Sequence, residues 1–383
     1  MSRESRQRLR ESAKRQEVHL AHRKKFLRAF PFVGVALLAA SAIVAIHFQP
    51  QKTKPIVAVQ TPAQTPTFKQ PETLKELLAL SPAELEHCDI ARMNLLCAEG
   101  LPGAENLNVD EDLTALDKWA KWIDSETKRN FHHYSDDPAN SYNSTNFFEM
   151  LMMSVVLYDD FHVRYDPRWI ESPEAIRPDD GFGRDSRDIL IHGLVGSQRM
   201  GTCSSMPVLY VALARRLGYP VKLVTTKMHL FMRWESPTEQ FDMDATGKGL
   251  NEYTDEHYKQ WPYPITDEEI KAEGYLQSLT AAQELSVFLN IRAGCLYQAG
   301  RLQETVAALA AAEKLEPNWR ANQVLLAQAE QQLANVSQQQ ARLSHDEQVN
   351  QMVEQVMAIN RANGVGIPEQ LIPNPTPQIP VLK

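Results

Sequence analysis

The chain has 383 residues, 43% of them hydrophobic, with 40 Lys or Arg against 48 Asp or Glu and a net charge of −8. That length holds two or three compact units with ample core, and the acidic balance argues against a nucleic-acid partner. The charge is uneven: residues 1–28 carry ten Lys or Arg against three Glu, so the rest of the chain is far more acidic than the total suggests.

The basic segment, residues 1–29, is followed by nineteen residues without a formal charge, 30–48, FPFVGVALLAASAIVAIHF. Such a run is long enough to cross about 30 Å of hydrocarbon as a helix and reads as a transmembrane helix. The positive-inside bias keeps the basic leader in the cytoplasm and sends the rest across the membrane. The expected location is therefore the cell inner membrane, single-pass, with the bulk of the chain extracytoplasmic (periplasmic). A cleavable signal peptide ending near Ala40-Ser41-Ala42 is the alternative, against which stands the long basic leader. A buried core helix is the third reading, disfavoured because the segment is apolar all round and runs directly into a linker. That linker, 49–72, contains Pro50, Pro55, Pro62, Pro66 and Pro71 among polar residues and should be extended.

A folded segment, 73–263, comes next, and its first part is patterned as helix in LKELLAL, LTALDKWAKWIDSET and NFFEMLMMSVVLYDD. Cys88 and Cys97 lie nine positions apart there, and in an oxidising compartment they are candidates for a disulfide. The stretch 161–188, with Pro167, Pro173, Pro178, Gly181 and Gly183, is expected to be a long loop over the core, either a lid or a disordered insertion.

The residues able to carry chemistry cluster beyond that loop. Cys203 precedes an apolar run, Val208, Leu209, Val211, Ala212, Leu213 and Leu217, at helical spacing, with Gly218 as a stop. A helix N-terminus favours an anion, so a thiolate at Cys203 and an oxyanion formed on attack are both helped. Residues 221–226 read as a strand, and residues 228–235 alternate, with His229, Phe231 and Arg233 on one face. A two-residue turn at Ser236-Pro237 would set Asp244 opposite His229, with Asp242 its diagonal neighbour. A longer loop would move that register by two.

Nucleophile, imidazole and carboxylate in this order are the parts of an acyl-transfer triad: Cys203 attacks, His229 moves protons, and Asp244, or Asp242 in its place, orients the ring. The alternative for Cys203 is a buried small hydrophobe. Three other histidines stay outside the site: His192 as a core or loop residue, and His132 and His133 because adjacent residues point apart. No Cys-x-x-Cys or His-x-x-x-His spacing supports a metal, and nothing calls for a cofactor.

Around these residues, the stretch 193–249 resembles the transglutaminase-like superfamily, in which a Cys at a helix start is followed by a His and an Asp on successive antiparallel strands. Asp244-Ala245-Thr246 is similar to the Asp-Pro-Thr of that family with Ala in place of Pro, and on this comparison Asp244 is preferred as third member. Upstream, Cys97 to Gly103 and the helices after it resemble the helical part of bacterial members that carry tetratricopeptide repeats. The resemblance implies an α+β fold, a papain-like core with a helix packed on an antiparallel sheet. By analogy with papain-like enzymes it also makes Gln198 a candidate oxyanion donor, although a Gln in a polar loop is commonly just solvated.

Residues 264–345 turn to Ala, Gln, Leu and Glu, and Ala293, Leu296, Gly300, Leu309, Ala312 and Pro317 resemble tetratricopeptide positions, with a further helix at about 321–333. One repeat cannot bury its own face, so this helical unit should lean on the core or on a protein partner. The last part, 346–383, holds Pro368, Pro373, Pro375, Pro377 and Pro380 and is expected to be a flexible tail.

Two functions are compatible with this reading. One is a membrane-anchored thiol acyltransferase or amide and peptide hydrolase acting on a protein or peptide substrate through an acyl-enzyme. The other is a catalytically inactive papain-like binding module that scaffolds an extracytoplasmic protein assembly.

Overall fold

The computed structural model describes residues 68–169, 183–245 and 250–362. The basic leader 1–29, the apolar segment 30–48, the linker up to residue 67, most of the proline-rich stretch before residue 183 and the last 21 residues lie outside them. Among the described residues no helix is long and apolar enough to cross a membrane.

The fold is mixed helix and sheet, α+β. Short helical turns lead into α1 (Ile90–Leu96), α2 (Val109–Arg129) and α3 (Thr145–Asp159), each started by a side-chain cap, from Asp89, Asn108 and Ser144 respectively. Two short strands, β1 (Arg164–Tyr165) and β2 (Met200–Gly201), pair in parallel ahead of α4 (Met206–Arg216). The sheet beyond α4, β3 (Val221–Thr226), β4 (His229–Glu235), β5 (Gln240–Asp244) and β6 (Asn251–Tyr253), is an antiparallel meander in chain order. Helices α5 (Asp255–Tyr258), α6 (Asp267–Glu273), α7 (Ala281–Gln298) and α8 (Leu302–Leu315) complete this unit, together with the start of α9 (Arg320–Ala362).

The period-2 alternation of the sheet gives it two different faces. Val221, Leu223, Leu230, Met232, Trp234 and Met243 join one core with α4, which is buried along most of its length, and with α1 and α2. On the other face Val224 and Phe231 pack with Tyr258, Ile265 and Leu276, and this face also carries His229, Arg233, Asp242 and Asp244.

Helices α7 and α8 do not form a core of their own. Leu285, Phe288, Leu289 and Ala312 belong to the same core as the sheet and α4, while Ala293, Leu296 and Leu309 pack with Ile189, Leu190 and Leu101. Polar ties reinforce this: the guanidinium of Arg215, at the end of α4, donates to the buried Glu284 of α7 at 2.5 and 3.0 Å, and Arg292 donates to the carbonyls of Cys97 and Glu99. The compact unit accordingly runs to Ala329.

A second unit comprises residues 330–383, of which 330–362 are described and helical. The helix runs well past the expected end of order at residue 345, because no Pro or Gly interrupts the chain before Gly364. Cys88 and Cys97 are free. The seven-residue α1 separates them, and a rise of about 10 Å over that helix exceeds the reach of a disulfide.

Candidate functional site: a thiol, an imidazole and a carboxylate

The base side of the site is set by strand register. The β4–β5 hairpin turns at Pro237-Thr238, with the N–H of Ser236 donating to the carbonyl of Glu239 at 2.9 Å and Glu235 paired with Gln240. The turn is one residue later than Ser236-Pro237, which shifts the register by two and carries Asp244 opposite Phe231. Asp244 is therefore the diagonal neighbour of His229, and Asp242 faces Arg233. The diagonal is still within reach of an imidazole: Nε2 of His229 and Oδ2 of Asp244 lie 2.6 Å apart, with both side chains buried. Asp242 is spoken for elsewhere, accepting from Nε of Arg233 at 2.6 Å, while the same guanidinium also donates to Asp255. Asp242, the expected alternative to Asp244, is thus paired with Arg233 rather than with His229.

Nε2 is committed to Asp244, which leaves Nδ1 facing away from the carboxylate to receive a proton. The Cys203 thiol lies close enough to the ring to add to its basicity. Burial alone would make the imidazole less basic, but the charge of Asp244, its hydrogen bond and the thiol outweigh it and raise the pKa to about 9. Trp261 packs edge to face on the His229 ring at 4.5 Å.

The thiol side is built without regular structure. Cys203 is half-buried in the turn before α4, whose first carbonyl acceptor is Thr202: its oxygen takes the N–H groups of Ser205 at 3.2 Å and Met206 at 2.9 Å. Cys203 is therefore the first residue inside that turn, where backbone N–H groups lack helical acceptors. A Cβ on Gly201, two residues before Cys203, would lie 2.6 Å from Oγ of Ser205 and 2.8 Å from Leu194, so those side chains would have to shift to admit one.

Tyr165 completes this side. The pairing of β1 with β2 sets Tyr165 beside Gly201, with its hydroxyl close to Cys203. Burial, then the charges of Cys203 and Asp244, push its pKa well up, so it keeps its proton at neutral pH. The pairing is held by charge. Asp166, fully buried, donates its backbone N–H to the carbonyl of Gly201 at 2.8 Å while its carboxylate takes Nε of Arg168 at 2.9 Å. Arg168 also donates to Asp188 at 2.8 Å, and the carbonyl of Asp188 accepts from Oγ1 of Thr202 at 3.0 Å.

Gln198, the oxyanion donor expected by analogy, spends its amide N–H on Oδ1 of Asp188 at 2.8 Å and so belongs to this clamp. His192 is buried against Oγ of Ser186 at 3.1 Å, and burial lowers its pKa to about 4. His132 and His133 lie on the exposed surface. Among the described residues no group of three or more His, Cys, Asp or Glu is placed to hold a metal ion.

Cys203, His229 and Asp244 thus meet in one place, whereas Asp242 and Gln198 take part in neighbouring ion-pair networks. Tyr165, Asp166, Arg168 and Asp188 are not among the residues singled out from the sequence; all lie within 161–188, the stretch expected to be a long loop, either a lid or a disordered insertion. The one local signal there was the aromatic–acid–proline–basic run Tyr165-Asp166-Pro167-Arg168, which has no periodicity to betray a strand of two residues. Comparison with protein-family models, with curated proteins and with solved structures yields no match for this chain.

Proposed function

We propose that the chain is a thiol acyltransferase or amide hydrolase of transglutaminase-like, papain-like type, held on the outer face of a cytoplasmic membrane by residues 30–48. The observation that carries the proposal is the paired ring: His229 donates to a buried carboxylate on one side and meets a cysteine thiol on the other. Such a ring takes the thiol proton, and the Sγ of Cys203 then attacks the carbonyl carbon of a peptide or side-chain amide. The carbonyl π electrons move to oxygen. The Cys203 N–H and the Tyr165 hydroxyl are the two donors near that oxyanion, the Tyr165 group replacing Gln198 in the role first expected. Collapse breaks the C–N bond, the amine leaves with the proton from His229, and a thioester remains. Water or a second amine, deprotonated by His229, then attacks the thioester and releases the thiolate.

The helical pair α7–α8, read as tetratricopeptide-like, is proposed to brace the nucleophile helix through Arg215 and Glu284. A protein partner, if it uses this pair, must bind its outer side.

The test is alkylation of Cys203 by iodoacetamide at neutral pH in the full chain, read by mass spectrometry. Rapid modification that falls about 100-fold in His229→Ala is expected. Slow labelling that ignores the substitution would leave the binding module as the function.

A further inference from the structure

Oδ2 of Asp244 serves two donors. Besides the His229 ring at 2.6 Å, it accepts from the hydroxyl of Tyr258 at 3.2 Å. Tyr258 is fully buried on α5, its ring stacked on Phe231 at 3.8 Å, and its carbonyl accepts from Oγ1 of Thr226, the residue paired with His229 across β3 and β4. The hydroxyl is thus fixed from both ends of its residue.

We propose that Tyr258 is a positioning residue that limits the basicity of His229, by drawing charge from the carboxylate oxygen on which the ring leans. The inference rests on the reading of Cys203, His229 and Asp244 as a triad and adds a control to it. A hydrogen bond to a carboxylate stabilises the bare anion more than an anion already paired with imidazolium. With the hydroxyl in place the imidazolium state gains less from Asp244, and the ring releases its proton more readily. That matters in the second half of the reaction, when His229 must be neutral to deprotonate water or amine. Without the hydroxyl the imidazolium draws on the full charge of Asp244, and His229 stays protonated to higher pH.

Among the described residues, Asp244 and the Cys203 thiol face the ring, Tyr165 faces Cys203 and Asp244, Asp242 and Tyr253 act on Tyr258 by charge, and the His257 ring packs edge to face on Tyr258 at 5.4 Å. Tyr258 holds its own proton far beyond neutrality, because burial and the charges of Asp244 and Asp242 disfavour the phenolate. It therefore acts as a donor throughout the working range.

The experiment follows alkylation of Cys203 by iodoacetate, an anionic reagent favoured by the imidazolium, from about pH 5 to about pH 10.5 in the full chain. The wild type should give a bell whose upper limb vanishes in His229→Ala. In Tyr258→Phe, which keeps the stack on Phe231, that limb should move up by about half to one pH unit. Incorporation of 3-fluorotyrosine at 258, a stronger donor, should move it down, and this second variant stands if the Phe variant does not fold. In an Asp244→Asn background neither change should move it. A limb unmoved or lowered in Tyr258→Phe, or unmoved by the fluorotyrosine, overturns the role of Tyr258 and leaves the triad intact. A wild type with no bell that depends on His229 overturns both.

Discussion

The two halves of the site are built by opposite means. His229 and Asp244 sit on a regular hairpin, where side-chain direction follows from strand alternation and the only variable is the turn. Cys203 sits in a turn and Tyr165 on a strand of two residues, and what aligns them is a set of buried carboxylates, one arginine and a glycine whose added methyl would press on Ser205 and Leu194. The difference teaches where each half is fragile. A sheet survives the loss of one polar side chain; a loop pinned by buried charge does not.

Asp166→Ala tests that contrast most severely. It deletes a fully buried carboxylate and strands part of Arg168, whose head is more than half exposed, so the cost should be about 2–3 kcal/mol, short of that for a fully buried pair. Urea unfolding should show it as a lowered midpoint, accompanied by slower labelling of Cys203; an unchanged midpoint would mean that the clamp is ornamental.

On the base side the expectation inverts. Asp244→Asn keeps the shape of the hairpin and is read on the thiol: labelling at neutral pH should slow by roughly 30-fold, about 2 kcal/mol of reactivity. A labelling rate that the substitution leaves unchanged would remove Asp244 from the triad.

Gly201→Ala comes next, with a cost of about 1–2 kcal/mol as Ser205 and Leu194 give way, and with a loss of labelling that Gly218→Ala, in open space, should not share. Gly218 has φ of +78°, so its own substitution is strained but remote from the thiol. The comparison separates strain at Cys203 from strain in general.

The last effect is a slope in pH rather than a single loss. A histidine whose folded pKa of about 9 lies above its unfolded value binds more protons in the folded state, so its contribution is complete below about pH 6.5 and is lost as pH rises toward 9. The stability of the wild type should fall across that window relative to His229→Gln. Parallel pH curves for the two proteins would argue against the raised pKa.

Much of the base side was legible in the chain. The alternation in residues 229–235 assigned His229, Phe231 and Arg233 to one face, and the spacing to Asp244 brought the acid near the ring even though the turn lies one residue later than a Ser-Pro turn predicts. Period 2 is forgiving here: a register shift of two keeps every side chain on its own face, so His229 and Asp244 stay together as diagonal rather than direct neighbours. Asp242 was ambiguous because two carboxylates shared that face, and only Arg233, with Asp255 beyond it, decides between them.

By itself the sequence determined what depends on neighbours in the chain: the helix behind Cys203, the two faces of the meander, and the α7–α8 pair with its small residues and the turn at Gly300. Tertiary structure alone decided what depends on distant pairs. Tyr165 lies 38 positions from Cys203 and Glu284 lies 69 from Arg215, and no local pattern encodes such meetings. The physical reason is that backbone periodicity fixes only which way a side chain points, whereas the partner of a buried charge is chosen by whichever segments the shared core packs together.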